Sequence, residues 1–67
     1  MKLIKVLQNP NFPQWFKIEF TDRLGFMDMI DEVQGKAMAI KVAKKVAQKE
    51  KVKHINIDGF VASTEEL

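Results

Sequence analysis

The stretch GKAMAIKVAKKVAQKEKVKHINIDGF, Gly35 to Phe60, changes its hydrophobic period once, and that change decides the fold class. On a wheel of about 100° per residue from Lys36 onward, Ala39, Val42, Ala43, Val46 and Ala47 fall on one side, with Ile40 at its edge. Lys41, Lys44, Lys45 and Gln48 fall opposite, flanked by Lys49. This is an amphipathic helix with a narrow face of small residues. Alanines four apart, Ala39, Ala43 and Ala47, allow its axis to approach a sheet closely. Gly35 marks the helix start, and Lys49, Lys51 and Lys53 crowd its end, where cations suit the negative pole of the helix dipole. After Lys53 the period becomes two: His54, Asn56 and Asp58 alternate with Ile55 and Ile57, the pattern of a half-buried strand. Asp58-Gly59 is a turn signal, and Phe60 and Val61 are expected to fold back onto the core.

Working outward, Trp15 to Phe20 is the cleanest strand. Phe16, Ile18 and Phe20 point one way, and Trp15, Lys17 and Glu19 the other. Lys2 to Gln8, rich in Leu, Ile and Val, reads as a strand too. Asn9-Pro10-Asn11-Phe12-Pro13 breaks the pattern as a loop, in which Phe12 is expected to plug the end of the core. Thr21 to Gly25 is a hairpin-like connection. Phe26 to Gln34 fits two descriptions. As a strand it puts Met27, Met29 and Val33 on one face and Phe26 and Ile30 on the other. As a helix it would run on through Gly35, at about 1 kcal/mol for the glycine. We assign a strand, because the sheet is otherwise thin. The expected fold is α+β: a three- to four-stranded, mainly antiparallel sheet with one amphipathic helix on one face, in the order β-β-β-α-β. Residues 1–67 form a single small domain.

Composition narrows the function. A chain of 67 residues is near the lower size limit for folding without metals or disulfides. It has no cysteine, hence no thiolate site and no disulfide framework, which suits a reducing interior. The apolar run Leu3 to Leu7 is too short for a signal peptide, and no stretch approaches the ~20 residues of a membrane span. A cytoplasmic location without membrane attachment is expected. The net charge is only +2, but its signs are segregated. Glu19, Asp22, Asp28, Asp31 and Glu32 stand against Arg23 alone, and seven lysines from Lys36 to Lys53 stand against Glu50 alone.

No catalytic constellation emerges. His54 is the sole histidine, and Asp58, four residues along the same strand face, lies roughly 13 Å away. Asp28, Asp31 and Glu32 lack the spacing of a calcium loop. There is no glycine-rich phosphate loop and no Gly-x-Ser-x-Gly turn. The expectation is a non-enzymatic interaction module without cofactor, metal or small-molecule substrate. It binds a protein partner, or a second copy of itself as a homodimer, through the open sheet face or a sheet edge. The residues that would carry this are Trp15, Lys17, Glu19, His54 and Asn56, because an outward Trp asks for something to cover it. The alternative is nonspecific nucleic-acid binding through Lys41, Lys44, Lys45 and Lys49, a row able to displace counterions from phosphates. With Arg23 the only arginine, sequence-specific DNA reading is disfavoured.

Three strands followed by a Lys/Ala helix resembles the layout of double-stranded-RNA-binding domains and of arm-site-binding domains of phage integrases. The chain lacks the leading helix of the former, carries Lys44-Lys45 in mid-helix, and adds a strand after the helix. The resemblance therefore transfers no residue roles.

Overall fold

The computed structural model describes residues 2–67. Its elements in chain order are β1 (Leu3–Gln8), β2 (Trp15–Thr21), β3 (Met27–Gln34), α1 (Lys36–Glu50), β4 (His54–Ile57) and β5 (Phe60–Ser63). The α+β class and the single helix on a sheet agree with the sequence. The sheet is larger than expected: it has five strands in the order β3-β2-β1-β4-β5. It is mixed, since β1 and β4 run parallel while the other neighbours are antiparallel. The parallel pair has a simple cause. The chain leaves β3 at one edge, and α1 carries it back across β2 and β1, so β4 starts from the same end as β1.

The added strand comes from the segment expected to fold onto the core. Asp58 (φ 50°) and Gly59 (φ 92°) both adopt positive φ, as the two central residues of a tight hairpin turn must. The Asn56 side-chain Oδ1 accepts the Gly59 N–H at 2.8 Å and fixes the turn. Phe60 to Ser63 then pairs with β4, opposite Ile57 to His54. Phe60 and Val61 are 80% and 67% exposed, and only Ala62 of this strand packs against the core.

Phe26 to Gln34 resolves as a strand from Met27 on, but its faces are not those of a simple alternation. Ile18 lies opposite Asp31 and Glu19 opposite Met29, so Ile30 is an extra residue in a β-bulge. The bulge switches the phase of the strand. Met27 and Met29 face away from the helix, while Val33, opposite the buried Phe16, turns toward it and packs against the core. Strand β3 ends where Gly35 takes φ 91°, ψ 136° and donates its N–H to the Gln14 carbonyl at 2.7 Å. A side chain disfavours that backbone conformation, so the strand cannot continue as helix without a break.

The core lies between α1 and one face of the sheet. Ala39, Ala43 and Ala47 are fully buried against Ile4, Val6, Phe16, Ile18, Ile55 and Ile57, with Phe20, Val42 and Val46 partly buried around them. Phe12 takes no part in it and is 59% exposed, because the loop folds on itself instead. There Asn9 Oδ1 accepts the N–H groups of Asn11 and Phe12, and Trp15 N–H bonds the Phe12 carbonyl at 2.9 Å.

Candidate binding face and its two depressions

Among the described residues, no second layer covers the sheet face opposite α1. Period-two alternation places Leu3, Lys5 and Leu7 of β1, Trp15, Lys17 and Glu19 of β2, and His54 and Asn56 of β4 on that face. Registers align them in rows. One row runs across all five strands, Met29–Glu19–Lys5–Asn56–Val61, and a second runs Glu32–Lys17–Leu7. All five residues expected on the open face thus lie on it. They do not form one cluster: His54 and Asn56 are separated from Trp15, Lys17 and Glu19 by β1.

Their surroundings differ in consequence. Glu19 is nearly buried, since its carboxylate lies 3.4 Å from the Lys17 ammonium and its cross-strand neighbour is Lys5. The carbonyl of the Asn56 side chain is occupied by the turn. His54, exposed at the start of β4, lines an open cleft of about 660 Å³ with Lys2, Leu3, Lys51, Lys53 and Val61. Lys2 Nζ reaches the Glu50 carbonyl at 3.1 Å, at the C-terminal end of α1, where a cation meets the negative pole of the helix.

Trp15 is 37% exposed and stands at the opposite end of the face. Two depressions meet beside it. One, of about 320 Å³, is lined by Asn9, Phe12, Trp15 and Glu32. The other, of about 330 Å³, is lined by Leu7, Gln8, Asn9, Pro10, Lys17 and Glu32. Asn9 and Glu32 border both. The sequence singled out Trp15 and Lys17 here but not Leu7, Phe12 or Glu32. Leu7 and Phe12 were assigned to strand and core roles, and Glu32 was grouped with Asp28 and Asp31. In the structure those three carboxylates divide between faces. Asp28 and Asp31 lie opposite Phe20 and Ile18 on the helix side, while Glu32 lies opposite Lys17 on the open side. Among the described residues, no group of three or more His, Asp or Glu side chains is arranged to hold a metal ion.

The alternative site is on the other layer. Lys41, Lys45 and Lys49 are exposed and Lys44 is half-buried on the outer surface of α1. The helix lies between them and the open face. No helix among the described residues is long and apolar enough to cross a membrane. Comparison with protein-family models, curated proteins and solved structures found no match.

Proposed function

We propose that this protein is a small, non-enzymatic interaction module that takes a polypeptide, a partner protein or a second copy of itself, on the open face of its sheet. One observation carries the reading: the face opposite α1 has no covering layer among the described residues, yet it presents Leu3, Trp15, Met27, Met29 and Val61 with 37–67% of each residue exposed. A protein this small has few large apolar side chains to leave outside its core, yet five stand on this one face, set among the polar and charged side chains of Lys5, Lys17, Glu19 and Asn56. Light scattering over a micromolar concentration series, with amide chemical shifts followed in parallel, tests it. Shifts that move with concentration, or on adding display-selected peptides, are expected on the open face and are expected to vanish in Trp15→Ala. A strict monomer whose selected peptides shift only α1 resonances would sink the reading.

A second reading, nonspecific nucleic-acid binding, is favoured by one further feature. The outward lysines of α1 continue past its end into Lys51, Lys53 and Lys2 around the 660 Å³ cleft. Salt-dependent retardation of a nucleic acid by the protein is its test.

A further inference from the structure

We infer that the paired depressions beside Trp15 accept a cationic side chain, Arg or Lys, flanked by an apolar residue, on a partner polypeptide. The inference rests on the open-face reading and specifies the chemistry of what binds there. Glu32 borders both depressions. Its register partner across the β2–β3 pair is Lys17. The Lys17 ammonium, however, pairs with Glu19 at 3.4 Å, and among the described residues the only other salt bridge joins Lys2 to Glu50. No cation of the described residues therefore lies within ion-pair distance of the Glu32 carboxylate, although it stands between two partly apolar hollows. Trp15 and Phe12 wall one of these, and Leu7 and Pro10 the other.

An ammonium or guanidinium entering the first hollow meets a carboxylate and an indole together. Both attract it, the carboxylate by charge and the ring through its quadrupole. A leucine-like neighbour on the same segment fits the Leu7/Pro10 hollow. Charge disfavours a second copy pairing strand to strand along β3. That arrangement would set the acids of two β3 strands side by side, Asp28 and Asp31 on the helix face and Glu32 on the open face, and like charges across a strand pair are destabilising. An acidic segment would face Glu32 unpaired.

The test uses three blocked tripeptides, Leu-Arg-Leu, Leu-citrulline-Leu and Leu-Glu-Leu, titrated to millimolar concentration into the isotope-labelled full chain. Leu-Arg-Leu should shift the Trp15 indole N–H and the amides of Asn9, Phe12, Lys17 and Glu32. Citrulline, equal in shape but uncharged, should bind about tenfold more weakly, and the glutamate peptide should leave the spectrum unchanged. Glu32→Gln, at an exposed position that cannot unfold the core, should reduce the arginine peptide to the citrulline level. Equal binding of arginine and citrulline, no response at all, or shifts centred on His54 and Asn56 overturns the inference. The last of these leaves the open-face reading standing, whereas peptides that shift α1 alone overturn both.

Discussion

Gly35 decides where the sheet ends and the helix begins. Its φ of 91° with ψ 136° is a conformation that only glycine adopts readily, and an added Cβ would meet no atom within 4 Å. The cost of a side chain there is thus backbone strain alone, without a clash that repacking could relieve. Gly35→Ala should destabilise the protein by about 1–3 kcal/mol, read as a lower urea midpoint with unchanged slope. An unaltered midpoint would mean that the backbone at this junction relaxes freely. The junction was legible as glycine before a helical period, and Asp58-Gly59 was legible as a turn. Phe12 was not: a lone Phe in a proline loop reads as core. It stays outside because Asn9 satisfies the loop's own N–H groups, which closes the loop on itself rather than over the sheet.

At the scale of elements, the seam between α1 and the sheet is the strongest match between sequence and structure. Spacing of four put Ala39, Ala43 and Ala47 on one line, and all three are buried without residual exposure. Ala43, in the middle of that line, has no room to grow. Ala43→Leu should cost about 1–3 kcal/mol through overpacking, whereas the same change at exposed Ala37 should fall within about 0.5 kcal/mol; thermal unfolding of the two variants measures the difference. Strand β3 shows where periodicity runs out. Alternation cannot reveal a bulge, because one extra residue at Ile30 reverses which side chains face the helix. The strand was therefore legible and its faces were not. Glu32 was grouped with Asp28 and Asp31 by closeness in sequence alone, although it sits on the open face beside Trp15. The fifth strand was hidden for a related reason: Phe60-Val61 looks like core material, yet a two-residue turn returns it along β4 with Phe60 and Val61 in solvent.

Across the whole molecule, the segregation of charge seen in the sequence becomes a separation in space. The acidic strand β3 forms one edge of the sheet, while the lysines of α1 cover the outside of the other layer and gather again at the helix C-terminus with Lys2. The four lysines Lys41, Lys44, Lys45 and Lys49 and the open face lie on different layers and approach each other only at the cleft that Leu3, His54 and Val61 line with Lys2, Lys51 and Lys53, so a variant confined to those four leaves the open face untouched. This makes the nucleic-acid reading decidable. Lys41, Lys45 and Lys49 are exposed, Lys44 is half-buried, and none of these four carries a salt bridge among the described residues, so replacing all four with Gln should leave the unfolding midpoint nearly unchanged. If the row tracks phosphates, binding of a short RNA duplex by gel shift should weaken with salt. Its log–log slope should be about −3 to −4 for four engaged lysines, and nearly flat in the quadruple variant. Binding that is indifferent to salt, or equal in the variant, would show that the lysines act only as a solvated coat, leaving the open face as the surface through which the protein acts.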